Sequence, residues 1–257
     1  MAQQDSIIAL DVSKARLDGL DAETGEAFQV ENAEAGYSLL RRRCGKRAVQ
    51  VVLEASGGYE RPVMEALSKA GIPVRLVDPR KVRHFARAHG RWAKNDRLDA
   101  RMIAAYAQAI PGAAYQPDPE REVLAELATY RRQLLDEQTM VRNQAQTLAD
   151  PELRRLAKRR LDAIALLILR LDKRIAEQIA ASKTLKVNDN LLQSIPAVGP
   201  VLAATLLAHM PELGTLTRHQ VAALAGVAPM DNQSGKRDGP RSIYGGRPVV
   251  RTVLYMA

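Results

Sequence analysis

At 257 residues, with 46% apolar and 26% charged side chains, the chain can bury one large core or two ordinary ones, which argues against a disordered or fibrous class. A formal charge of +9, spread along the chain rather than held in a tail, favours a polyanionic partner, most simply nucleic acid. The single cysteine, Cys44, excludes an internal disulfide and fits a reducing compartment; the four histidines sit at no zinc-ligand spacing, and no signal pattern or apolar run near ~18 residues announces secretion or a membrane span, so a cytoplasmic protein is expected.

Ile7 to Val12 reads as a buried strand with one acid, Asp11, near its end. Ala15–Asp21 and Ala27–Asn32 flank Glu23-Thr24-Gly25-Glu26 and predict an antiparallel meander. A helix over 33–44, with Leu39 and Leu40 inward, stops at Gly45. Val49–Glu54 is a second buried strand ending on an acid, followed by the turn Ser56-Gly57-Gly58 and a helix opened by Pro62. Ile72–Val77 reads as a fifth strand, and helices follow over about 79–89 and 95–109.

This order predicts a mixed α/β domain over residues 1–112, in which function gathers at strand ends and on the helix beside them. Asp11 and Glu54 end strongly apolar strands. Asp96 and Asp99, three apart in Lys94-Asn95-Asp96-Arg97-Leu98-Asp99-Ala100-Arg101, project from one helix face, where like charges repel unless a cation offsets them. Several carboxylates aimed at one spot suit a hard divalent cation and two-metal phosphoryl transfer. The plainer alternatives are turn acids and a solvated helix face neutralised by Arg97 and Arg101. Arg80, Lys81, Arg83 and Arg87 lead a basic run into this region and are candidate phosphate contacts.

From Pro119 the chain turns helical. Leu124, Leu127, Leu134, Val141, Ala145 and Leu148 recur at helical spacing, Asp150-Pro151 starts a second helix, and Leu153, Leu156, Ile164, Leu167, Leu171, Ile175 and Ile179 continue the stripe. Two helices of ~30 residues span ~45 Å each. They predict a coiled-coil arm over 113–186 that joins protomers or spans a nucleic acid; a hairpin folded on its own domain is the alternative. A small helical unit over 187–257 begins with Val198-Gly199-Pro200, where Gly199 could turn backbone amides toward a phosphate. It continues into a polar loop from Asp231 to Arg241 containing Ser234-Gly235-Lys236-Arg237, then Tyr244-Gly245-Gly246-Arg247 and Arg251. Lys236, Arg237, Arg241, Arg247 and Arg251 are its candidate phosphate contacts.

Asp11 in Leu-Asp-Val-Ser-Lys, Glu54 in Leu-Glu-Ala-Ser-Gly-Gly-Tyr-Glu, and Asp96 with Asp99 resemble the four acids of DEDD-type insertion-sequence transposases, the IS one-ten and IS eleven-eleven group. Glu60 competes for the second place, but Glu54 ends the strand ahead of the glycine turn. The resemblance runs into the C-terminal third, where it makes Ser234 the nucleophile, with Gly235, Gly239, Gly245 and Gly246 as backbone of its site. It implies a RuvC-like domain of ribonuclease-H fold joined to an all-α remainder, and Mg²⁺ or Mn²⁺ held by Asp11, Glu54, Asp96 and Asp99. It further implies donor and target DNA, a structured guide (bridge) RNA, and a homodimer or homotetramer in a prokaryotic cytoplasm. Family members usually continue beyond the last helix, so a truncated or decayed copy is expected. Two rivals remain: a RuvC-like nuclease using water, and a non-enzymatic nucleic-acid-binding scaffold.

Overall fold

The computed structural model describes residues 6–90, 96–235 and 237–256, and at residues 96–98 and 237 the backbone alone. These fall into two compact units, residues 1–117 and 118–257.

The first unit is built on a five-stranded sheet. Its strands are β1 (Ser6–Val12), β2 (Arg16–Asp21), β3 (Ala27–Glu31), β4 (Val49–Glu54) and β5 (Val74–Val77), in the order β3-β2-β1-β4-β5. The first three form the antiparallel meander expected from the turn residues, and β4 and β5 add in parallel. Alternation along β1 sends Ile8, Leu10 and Val12 to one face, against α1 (Glu34–Cys44) and α2 (Arg61–Lys69). Ile7 and Ala9 face the other way, into a core completed by α3 (Pro79–Ala88) and α4 (Asp96–Ala109) through Val82, Ala100, Ile103, Ala104 and Ala107.

Two details differ from the sequence reading. In α1 the buried positions are Gly36, Tyr37, Leu40 and Cys44, and Leu39 is 48% exposed. A helix packed on a sheet buries a stripe at i, i+3/i+4, and Leu39 is one residue off the stripe that Tyr37 and Cys44 set. Strand β5 begins at Val74 rather than Ile72, because Gly71 to Pro73 carries the chain across from α2.

The second unit opens with α5 (Pro119–Gln146) and α6 (Pro151–Ala181), each capped by an aspartate ahead of its proline, Asp118 and Asp150. Their 28 and 31 residues reach about 42 and 46 Å at the rise of an α-helix. One end of the pair packs through Leu124, Leu127, Ile175 and Ile179 on α7 (Lys183–Gln193) and α8 (Pro200–His209). Toward the connecting turn, Leu134 and Val141 meet Ile164 and Ile168 in a cluster made of α5 and α6 alone. The buried stripe of α6 is therefore Ile164, Ile168, Ile175 and Ile179; Leu153, Leu156 and Leu167 are exposed, since the α6 stripe is phased on the isoleucines.

The remainder comprises α9 (Arg218–Ala225), β6 (Pro229–Ser234), β7 (Arg237–Ile243) and α10 (Pro248–Tyr255). An all-helical C-terminal part is thus corrected: β6 and β7 pair as an antiparallel hairpin across the polar loop. The residues of β6 are polar for the most part and exposed throughout, so no apolar pattern announces the strand.

Candidate active site

The three-residue link Ser13 to Ala15 sets the β1–β2 register at Val12↔Leu17, and so places Asp11 directly opposite Asp18. Asp18 in turn opposes Gln29 on β3. On the other side of β1, Leu10 pairs with Leu53 in parallel, so the next position brings Asp11 beside Glu54, which itself pairs with Val77. One row across the sheet therefore reads Gln29, Asp18, Asp11, Glu54, Val77. Neighbouring strands lie ~4.8 Å apart, which sets the carboxylates of this row side by side.

Parity gives the face. Asp11 shares its side with Ile7 and Ala9, and Glu54 with Val52, all of which belong to the core beneath α4. On α4, Asp99 stands immediately before Ala100 and one turn ahead of the fully buried Ile103, so its half-buried position lies at the N-terminal end of the sheet-facing stripe. Asp11 and Glu54 are likewise half-buried. Asp96 begins the same helix, but its side chain lies outside the described residues, as do Lys94, Asn95 and the side chain of Arg97.

Asp18 was not singled out by sequence reasoning. Its carboxylate accepts from Gln29 Nε2 at 2.6 Å and from Arg16 Nε at 3.2 Å. The signal was present in the short β1–β2 link, which fixes the pairing and with it the row.

These carboxylates offer the hard oxygen donors that Mg²⁺ or Mn²⁺ requires. Among the described residues, no group of three or more His, Cys, Asp or Glu side chains is drawn closely enough together to hold a metal ion. The fit therefore rests on donor chemistry and on the shared face of the row and α4.

Glu60, the rival of Glu54, holds the turn after β4. It is 7% exposed, and one carboxylate oxygen accepts from the Ser56 amide at 3.0 Å, the Ser56 hydroxyl at 2.7 Å and the Gly58 amide at 2.9 Å. Burial pushes its carboxyl up, but the Ser56 hydroxyl and the backbone amides outweigh this and hold it below its ordinary value of 4.5. Glu60→Ala should cost about 2 kcal/mol, because it strands two amides in the turn. Glu60 has a depressed folded pKa, so its contribution is full above pH 4.5 and is lost as pH falls through the lower folded value. Denaturant melts at pH 7 and pH 3 check both statements: the gap between wild type and Glu60→Ala should narrow in acid.

The basic candidates divide. On α3, Val82 and Ala86 face the core; Lys81 and Arg87 are exposed, Arg83 is half-buried, and the exposed Arg80 is engaged with Asp78 at 3.0 Å. In the second unit Arg241 pairs with Asp231 at 2.8 Å. Arg247 reaches Glu212 with both terminal nitrogens at 2.7 Å and also donates to the His209 carbonyl; it holds the Glu212 carboxyl below its usual range. Arg251 donates to the Gly245 carbonyl at 2.9 Å, where the backbones of Gly226 and Gly246 approach too closely for a Cβ on either. Arg247 and Arg251 thus tie α8, α9 and α10 together. Gly199 caps α8 ahead of Pro200, with φ at −86°, in extended backbone that any residue adopts. Lys236 and the side chain of Arg237 lie outside the described residues.

Ser234 ends β6 opposite Arg237, and Gly235 follows it at φ +57° to turn the hairpin. The serine is exposed, and among the described residues its hydroxyl has no hydrogen-bonded base. The hairpin's two aspartates are turned elsewhere, Asp231 to Arg241 and Asp238 to the Gln233 amide.

Two family models match the chain, one over each of these regions. A DEDD-type IS110 transposase model matches residues 9–151, which contain the whole row and α4. A second model, the Transposase IS116/IS110/IS902 family, matches residues 189–257. The chain belongs to this transposase family. Pilin gene-inverting proteins of Moraxella lacunata and Moraxella bovis are each 25% identical to it over 221 residues, covering 81% of this chain and 66% of the relative. The transposase chain thus spans just under two thirds of their length. Its mixed sheet with helices on both faces is consistent with a ribonuclease-H-like DEDD domain, a family in which divalent metal use is usual. Among the described residues of the transposase, no helix is long and apolar enough to cross a membrane.

Proposed function

We propose that this transposase cuts and rejoins DNA strands, with Asp11, Glu54, Asp96 and Asp99 as the acidic centre and Ser234 as the nucleophile. The observation that carries the reading is the adjacency of Asp11 and Glu54 on the sheet face that α4 covers, with Asp99 at the near end of that helix. The four acids would hold Mg²⁺ or Mn²⁺, which when bound neutralises charge on a phosphate and activates a hydroxyl. The chain's own part is to hold the scissile phosphate where Ser234 Oγ can reach its phosphorus. The serine hydroxyl gives up its proton as the serine–phosphate bond forms, the bond to the leaving deoxyribose oxygen breaks, and that oxygen takes up a proton. Rejoining is the reverse reaction with a different strand. The relatives' name speaks of gene inversion, and an inversion is two such exchanges. The experiment that tests the assignment is the metal and acid series argued in the Discussion.

Donor and target DNA are the proposed substrates, a structured guide RNA the proposed director, and a dimer or tetramer joined through α5 and α6 the proposed assembly. Lys81, Arg83 and Arg87 on α3, with Arg80 if it exchanges Asp78 for phosphate, are the proposed backbone contacts. Replacing the four by alanine should weaken binding of every sequence alike and flatten log K against log salt by roughly one unit for each phosphate no longer held. A filter-binding salt titration reads this directly; weakening confined to particular sequences at unchanged slope would mean base readout instead.

The water-using nuclease keeps one observation in its favour: Ser234 has no hydrogen-bonded base among the described residues.

A further inference from the structure

Arg75 is a guanidinium in the wrong place for a solvated cation. It lies on β5 with 6% of its surface exposed, and among the described residues no carboxylate pairs with it. Its parity is that of Val77 and, across the sheet, of Val52, so it points to the side that α4 covers. Burying an unpaired cation is costly unless something nearby supplies negative potential.

Three features supply it a seat. Arg75 Nη1 donates to the Ala107 carbonyl at 3.4 Å. That oxygen is one of the last four of α4, which have no partner within the helix and carry the negative end of its dipole. The guanidinium carbon lies 5.7 Å from the ring centre of Tyr106, within cation–π range. Behind it, the chain returns to β5 through the Tyr115 amide on the Val74 carbonyl, at 2.6 Å, and crosses the guanidinium at Gly112. A Cβ on Gly112 would stand 2.5 Å from Arg75 Nε, so that position is kept bare by the arginine.

We infer that Arg75 is a positioning residue for the acidic centre: it clamps the C-terminal turn of α4 to the sheet and thereby fixes where Asp99, toward the other end of the same helix, lies relative to the sheet row of Asp11 and Glu54. The helix is 14 residues, about 21 Å, and rigid over that length. A rotation or slide permitted at Ala107 is carried to Asp99, whereas the sheet row is held by strand pairing and needs no such clamp. The inference rests on the metal-binding reading of that centre.

The test uses the full chain and Mn²⁺ alone as probe, with binding measured calorimetrically and amide exchange measured along α4. In Arg75→Met the amides of the last α4 turn should exchange faster while those of β1 and β4 keep their protection, and the Mn²⁺ dissociation constant should rise about 10-fold, as when an outer-shell support is removed. Arg75→Lys should recover part of the affinity. Gly112→Ala should give the same pattern with the arginine still present, which keeps the test decisive where Arg75→Met folds poorly. Loosened α4 exchange with Mn²⁺ affinity within twofold of wild type would make Arg75 structural only and overturn the inference. Wild-type protein without Mn²⁺ affinity would overturn the metal reading itself, and the positioning role with it.

Discussion

Asp11→Asn and Glu54→Gln should each lower DNA strand cleavage by about 10³-fold, the rate equivalent of losing ~4 kcal/mol of transition-state charge stabilisation. The two positions are adjacent in one row of the sheet, on the face beneath α4. Strand pairing holds that row whether or not the carboxylates are charged, so both variants should fold as wild type. Asp99→Asn and Asp96→Asn should be as inactive. Chelation of wild type should abolish cleavage and spare most nucleic-acid affinity. Cleavage assays with labelled DNA across an Mg²⁺ titration read all of this. Full activity in chelator would remove the metal from the centre. A fall in metal-free stability in both α4 variants would return those aspartates to a surface ion-pair role.

The first unit was legible in its elements because each signal there is local. Gly25 and Gly45 mark stops, and apolar runs such as Val49 to Leu53 are too short for a helix and too continuous for a half-exposed strand. The preference for Glu54 over Glu60 came from chain position alone, and the bonds by which Glu60 holds the Ser56–Gly58 turn could not be read from spacing. What was not legible depends on pairing between distant segments. Asp18 looks like any acid in a meander until the β1–β2 register sets it against Asp11. Arg75 reads as a strand residue with nothing to say about α4, because its meaning lies in a carbonyl 32 residues away. The same blindness hides Glu212 and the Gly245 carbonyl, which engage Arg247 and Arg251, because neither is visible in spacing. The C-terminal hairpin was missed for another cause: β6 is exposed throughout and carries no apolar alternation.

Ser234→Ala should eliminate both a protein–DNA adduct and strand exchange, with cleavage down by some 10⁴ to 10⁶, the scale of losing a nucleophile that works as part of a unit. Removing the hydroxyl should cost little stability, because Ser234 is exposed at the end of a hairpin strand that buries no side chain. Nucleic-acid affinity should hardly change for the same reason. The expectation separates two chemistries that share the acids and the metal. A strand held through a serine oxygen keeps its phosphodiester energy for rejoining; a strand cut by water leaves a free phosphate end that needs new energy to be sealed. The described residues place no base on Ser234, so its activation must come from the acidic centre or from groups assembled with the DNA, and a solitary hydroxyl should be inert until then. Ser234→Cys should retain weak activity, since a thiolate is intrinsically nucleophilic where a neutral hydroxyl is not. The measurement is labelled DNA on a denaturing gel, with label that migrates with the protein and is released by proteolysis. Wild type that cuts without ever carrying label, together with Ser234→Ala that cuts at the same rate, would assign the acids to a water-using nuclease.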